Sequence, residues 1–325
     1  MELFNILTNN ILPLLIFMSI GYILDKYAIL DVAALTKLTF YIILPCFIFY
    51  SICIAHINIS LLHVFLLALT LMIVLGIIST SCAKICHWDN AKKESLKNGT
   101  MFSNSGNLGI ALVALVFTNS PYLINGETPY FAEAMAVATI CLIQMNMFLN
   151  TLGLYQAGKG SLSPHDTLMV IFHMPVIYTL TAAFLVKSLN IDLSGTFLWP
   201  IFQSCAGALV AVVMMALGIQ IRRSHISFGD HDAWLACFIR LIIGPFCAFC
   251  LIKLWAFIGH PFSPIASQTI FIMSSVPAPA NSVLFAIEFK NHINLATEIV
   301  IMSTLLSGIT LTGAIYLSRI LFPLS

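Results

Sequence analysis

The chain has 325 residues, 60% of them apolar and only 8% charged, with a formal net charge of +1. A water-soluble domain carries about 25% charged residues, so this composition excludes a soluble globule and describes a polytopic membrane protein. No basic run exceeds Arg222-Arg223 or Lys92-Lys93, which leaves no electrostatic footprint for a nucleic acid.

The opening residues, MELFN, lack the basic n-region of a cleaved leader, so the first apolar stretch is expected to remain as a span. Ten apolar segments follow in order, at about 6–24, 35–54, 61–83, 98–118, 131–156, 167–187, 196–221, 233–256, 267–288 and 296–320, each near the ~20 residues that cross hydrocarbon as a helix. The connections between them are short. The expected fold is all-α, with ten transmembrane helices. The nine cysteines fall mostly inside these segments and read as free thiols acting as small hydrophobes. Cys82, Cys86 and His87 lack the second ligand pair of a metal site, so neither metal nor cofactor is expected. The glycosylation sequons at Asn58 and Asn98 read as chance matches.

Charge sets the expected orientation. Loops after odd-numbered spans hold Lys26, Lys37, Lys84, Lys92, Lys93, Lys97, Lys159, Arg222, Arg223 and Lys290, whereas Lys187, Lys253 and Arg319 lie near the opposite side. Basic loops stay cytoplasmic, which would put both termini outside, in the periplasm if this is a bacterial inner-membrane protein.

Five spans plus five, divided at 1–157 and 158–325, give two halves of opposite orientation. Span one begins near Asn10-Ile-Leu-Pro13 and span six near His173-Met-Pro175; span four is broken by Gly106 and Gly109, span nine by Pro277 and Pro279. Lipid does not tolerate unpaired backbone polar groups, so broken helices at membrane depth must line a protein-walled or watery site. Interruptions at matching places in two halves mark the centre of a secondary transporter. Half-helix N-termini expose free N–H groups and about half a positive charge each, and two aimed at one point attract an anion without any basic side chain. A carboxylate is the expected guest. Asn104, Asn107 and Asn281 have amides able to donate to it, Ser103 and its neighbours have hydroxyls, and Gln144, Asn146 and Asn150 of span five, with Gln203 and Ser204 of span seven, are placed to face the same cavity. The alternative for these polar groups is that they only satisfy backbone freed by the breaks.

The stretches SNSGNLGIAL (103–112) and VPAPANSVLFAIEF (276–289), with Leu44-Pro45 in span two, resemble the auxin efflux carrier family, which includes plant PIN carriers and bacterial malate or malonate permeases. The resemblance runs along essentially the whole chain. It implies a ten-span inverted-repeat fold shared with bile acid/sodium symporters and sodium/proton antiporters. It also implies a scaffold of spans 1, 2, 6 and 7, often dimeric, and a moving transport domain of spans 3–5 and 8–10. Carried over by position, Asn104, Asn107, Pro277 and Asn281 fall at the crossing of spans 4 and 9. The chain departs from the family at Ala111, where members usually have proline, and it lacks the long loop of many plant members.

Intramembrane charge is costly and points to function or a partner. Arg240 in span eight is expected to pair with Glu288 or Glu298 and hold the transport domain together; alternatively it draws the substrate anion in, or a glutamate carries a coupled proton. The reading is an elevator-type carrier of a small organic anion, with a receptor, a channel or a sodium-coupled symporter as alternatives. An intramembrane enzyme would need paired aspartates or a nucleophile and base within spans, and every aspartate lies in a loop or at a span end.

Overall fold

The computed structural model describes residues 4, 8–9, 12–28, 31–54, 60–158, 175–189, 191–223, 229–289 and 291–324. The described chain is all-α. Labelled by span, its helices are α1 (Leu12–Tyr27), α2 (32–54), α3 (Ser60–Ile85), α4a (Asn90–Met101), α4b (105–118), α5 (Phe131–Gly158), α6 (Pro175–Ser188), α7 (Trp199–Arg223), α8 (His231–Phe257), α9a (Pro264–Ser274), α9b (Asn281–Glu288) and α10 (Ile293–Leu321). Among the described residues, five of these are long and apolar enough to cross a membrane unaided: α3, α5, α7, α8 and α10.

The segment boundaries differ from the expected ones where caps intervene. Span four begins at Asn90 rather than near 98, because the Asp89 carboxylate accepts the Lys92 N–H at 2.7 Å and starts the helix eight residues early. Span nine begins at Pro264, where the Ser263 hydroxyl accepts from the Ala266 N–H at 3.0 Å and proline occupies the first turn. Span one is described from Leu12 and span six from Pro175; Asn10, Asn58, Lys159, His173 and Lys290 lie outside the described residues.

Two packed groups emerge. In one, α1 lies along α7, and α6 and α7 pack on α2. The α1–α7 pair is drawn together by Gly21 and Gly218: a Cβ on either would run into the backbone carbonyl of Met215 or Met18 on the other helix. Small residues that let backbones approach are the usual glue between membrane helices. At one end of this pair the buried Asp25 carboxylate is held by Arg222 and Arg223, with Arg222 Nη1 at 2.6 Å. In the other group, α3 packs on α4a, α5 and α8, and α9a packs on α5, α8 and α10.

Ion pairs gather the charged loops at one end of the molecule. Asp25 meets Arg222 and Arg223, Lys92 meets Asp232, and His292 approaches Asp89 at 3.8 Å. These joins link loops after spans one and seven, three and seven, and three and nine. At the other end the Ser263 hydroxyl donates to Glu133, and Tyr122 Oη donates to Gln268 Oε1 at 2.5 Å. Among the described residues, the loops after helices α1, α3, α7 and α9b are thus joined to one another, and those after α4b and α8 likewise. Large apolar side chains such as Ile77, Phe197 and Ile309 face outward, the surface a bilayer would cover.

Candidate functional site

The site is built from two chain breaks. Residues 102–104 leave helical geometry between α4a and α4b, and 275–280 do so between α9a and α9b. In the second, Pro277 and Pro279 remove backbone donors and forbid a continuous helix. In the first, no proline is present, and the hydroxyl-rich Ser103-Asn104-Ser105 run competes for backbone bonds. The Ser103 and Ser105 hydroxyls are 2.6 Å apart.

The breaks touch. The Asn104 N–H donates to the Pro277 carbonyl at 2.8 Å, joining the two interrupted segments at their centres. The Asn104 carbonyl in turn accepts from Leu108 and Gly109, both at 3.0 Å, and opens α4b with a π-helical turn over Ser105–Gly109. Gly106 and Gly109 therefore lie inside the second half-helix, not at the break. Gly109 serves close approach instead: a Cβ there would meet Met273 Sδ at 3.0 Å and Val276 Cγ2 at 3.4 Å. Span four breaks where side-chain hydroxyls and an amide compete with the backbone, just upstream of its glycines. Ala111, the departure from the family pattern, is buried in continuous helix.

Asn104 is 4% exposed, and its Nδ2 has no hydrogen-bond partner among the described residues. A buried amide donor left unmatched is expensive, roughly 1–3 kcal/mol, and asks for an acceptor. Ser103, Pro277 and Pro279 are buried beside it, while Gly106 and Asn281, the first residue of α9b, are partly open. The side chain of Asn107 lies outside the described residues.

Arg240 departs from its expected role. It is 1% exposed, and its guanidinium bonds three backbone carbonyls: Nε to Val276 at 2.8 Å, Nη2 to Ser274 at 2.7 Å and Nη1 to Thr100 at 3.2 Å. Thr100 lies in the last turn of α4a and Ser274 ends α9a, so one side chain caps both half-helices. The expected pairing with Glu298 is not made; Glu298 lies half-buried in the second turn of α10, and the side chain of Glu288 lies outside the described residues. The physical reason is that helix C-termini carry orphan carbonyls and partial negative charge, and these accept from a planar, five-donor guanidinium in place of a carboxylate partner. Arg240 itself sits in a π-helical turn, Ile239–Ile243, followed by Gly244-Pro245. Proline cannot donate back along the helix, and the widened turn accommodates it; α2 repeats the device with Thr39–Ile43 ahead of Leu44-Pro45.

Next to the break is a cavity of about 30 Å³, lined by Met72, Met101, Met145, Met273, Gln144 and Ser105 among others. By the ~10–15 Å³ a water needs, it has room for about two. Gln144 Nε2 reaches Met72 Sδ at 3.4 Å and its Oε1 has no partner among the described residues. Gln144, not Asn146, is the polar residue of α5 that lines this space; Asn146 is half-buried on the same helix. Gln203 is exposed on α7 and is not among the cavity's lining residues. Sequence reasoning missed the role of Arg240 because its partners are backbone atoms, which leave no side-chain signature. The Gly244-Pro245 pair was the available signal.

A family profile described as membrane transport protein matches residues 6–167. No curated protein matches the chain.

Proposed function

The chain belongs to the auxin efflux carrier family of membrane transport proteins, and on that premise we propose that it is a secondary transporter of a small organic anion. The substrate carboxylate binds where spans four and nine cross, between the N-terminal ends of α4b and α9b. The observation that carries this reading is the Asn104 amide, buried at the crossing with its donor unmatched.

The electrostatics support an anion. Four half-helix ends converge at the crossing. The two C-terminal ends carry about half a negative charge each, and the Arg240 guanidinium offsets them. The two N-terminal ends remain, and the positive ends of their dipoles leave the crossing net attractive to negative charge. Hydroxyls of Ser103 and Ser105 and the amide of Asn281 extend the donor set, and Pro277 and Gly109 hold the two chains close.

Movement is by an elevator. A transport domain of α3–α5 and α8–α10 slides against a scaffold of α1, α2, α6 and α7, which forms the homodimer contact. The halves 1–157 and 158–325 are inverted copies, and both termini face outward. What supports this is that each helix group packs mainly within itself, with α2 on α5 and α7 on α4b as the chief contacts between them, and the matched lengths of equivalent helices, 26 and 27 residues for α3 and α8 and 28 and 29 for α5 and α10.

The test is a thermal-stability screen of purified protein against malate, malonate, indole-3-acetate and neutral analogues. Carboxylates should raise the midpoint and their amides should not. A stabilisation that ignores the carboxylate would contradict the anion site.

A further inference from the structure

We propose that Arg240 is a tethered cation, built into the place where half-helix carbonyls would otherwise hold a free one. Unwound backbone carbonyls and half-helix C-terminal ends are the groups with which broken-helix transporters coordinate their coupling cations. Here three such carbonyls, of Thr100, Ser274 and Val276, converge within 2.7–3.2 Å on a single guanidinium.

The three carbonyls come from both interrupted spans, α4a and the α9a break, so the charge that neutralises them also ties the spans together. Every partner of the guanidinium among the described residues is a carbonyl oxygen. It is thus not consumed by a side-chain ion pair, and its whole charge is opposed by the two helix ends. The π-helical turn ahead of Gly244-Pro245 keeps the side chain anchored in α8. Further bonds brace the cage: the Ser79 and Thr100 hydroxyls are 2.6 Å apart, and the Ser274 hydroxyl donates to Phe271 O at 2.6 Å. These bonds hold the ends of α4a and α9a from other directions, so the carbonyls should stay close together when the guanidinium is removed. A cage of carbonyls without its cation is a binding site for a planar guanidinium ion or a small monovalent cation.

Arg240 is in this account a positioning residue: it lies beside the cavity and holds the breaks in register through its bonds to backbone carbonyls. The inference rests on the transporter reading for its flux arm only; its binding arm stands alone.

The experiment uses full-length wild type, Arg240→Ala and Arg240→Lys, purified in detergent, with thermal unfolding followed in matched chloride salts of guanidinium, sodium and N-methylglucamine at millimolar concentration. Arg240→Ala should unfold earlier than wild type. Guanidinium should raise its midpoint by about 3 °C or more and leave wild type unchanged. Equal shifts in both proteins, or none in Arg240→Ala, would overturn the proposal. Arg240→Lys keeps the charge but not the three-way reach, and should fall between the two; a midpoint as low as that of Arg240→Ala would count against the charge. If neither variant folds, wild type decides. Its midpoint must be the same in sodium and N-methylglucamine, and a sodium-specific rise would mean that the cation site is still open. In proteoliposomes, radiolabelled malonate flux should fall about tenfold or more in Arg240→Ala and recover with guanidinium. Failure of wild type to move malonate, malate or indole-3-acetate would sink the transport reading while leaving the guanidinium result to judge Arg240.

Discussion

The Asn104 N–H donates to the Pro277 carbonyl at 2.8 Å, so the two interrupted spans are hydrogen-bonded to each other at the point where each loses its own helix. That bond uses the Asn104 backbone and leaves its side chain for another purpose. The Nδ2 donor is buried without a partner among the described residues, which is poor economy for a structural residue and good placement for a ligand contact. Asn104→Ala should therefore leave the midpoint of thermal unfolding unchanged or raise it, because it removes an unmatched donor worth roughly 1–3 kcal/mol when buried. A loss of more than about 2 kcal/mol would show that the amide is structural.

Gly109 tests the approach of the two spans. A single Cβ would meet the flexible end of Met273 at 3.0–3.1 Å, so Gly109→Ala should fold with a modest loss of about 1 kcal/mol as that thioether shifts. Gly109→Leu has no such escape and should part α4b from α9a. Equal unfolding midpoints for the two variants would contradict the close packing of α4b on α9a at this glycine.

The α1–α7 pair should be less forgiving. Gly21 and Gly218 each face a carbonyl of the opposing backbone, which cannot swing aside as a side chain can. Either substitution to alanine should cost about 2 kcal/mol or more, read as a lower unfolding midpoint in detergent. Midpoints at the wild-type value would mean that the two helices are further apart than this.

Asp25 is fully buried under Arg222 and Arg223, whose side chains are 33% and 40% exposed. Losing one partner of a fully buried pair costs about 3–5 kcal/mol, and the exposure of the arginines discounts that, so Asp25→Asn should cost roughly 2 kcal/mol. The loss should appear in unfolding and not in the substrate dependence of flux, because these residues close one end of α1 and α7, away from the crossing. A changed substrate affinity in a fully folded Asp25→Asn would place this cluster in the transport path.

Much of the fold was legible from residues alone, and for physical reasons. Two prolines only two residues apart, at 277 and 279, remove two donors from one turn, so span nine breaks there. Span four was harder: its glycines drew attention downstream, whereas the break falls at 102–104. Asp89 and Ser263 moved two helix starts, because a cap outweighs the hydropathy that defined the segments. Arg240 stands out in the sequence as a charge inside a span, but its partners are carbonyls of Thr100, Ser274 and Val276, and only tertiary structure reveals which backbone groups a break leaves open. The choice between Gln144 and Asn146 turned on which face of α5 meets α3, and the neighbouring apolar residues carry too little periodicity to tell.

The central claim is that the crossing holds an anionic substrate through the Asn104 and Asn281 amides and the half-helix N-termini. The most direct measurement is radiolabelled carboxylate flux, with malate, malonate and indole-3-acetate as probes, into proteoliposomes containing wild type, Asn104→Ala, Asn281→Ala or the double variant at equal reconstituted amounts. The account predicts saturable flux by wild type, a loss of about tenfold or more in each single variant, and near-background flux in the double variant with its thermal midpoint intact. Wild-type flux from a folded double variant would contradict it.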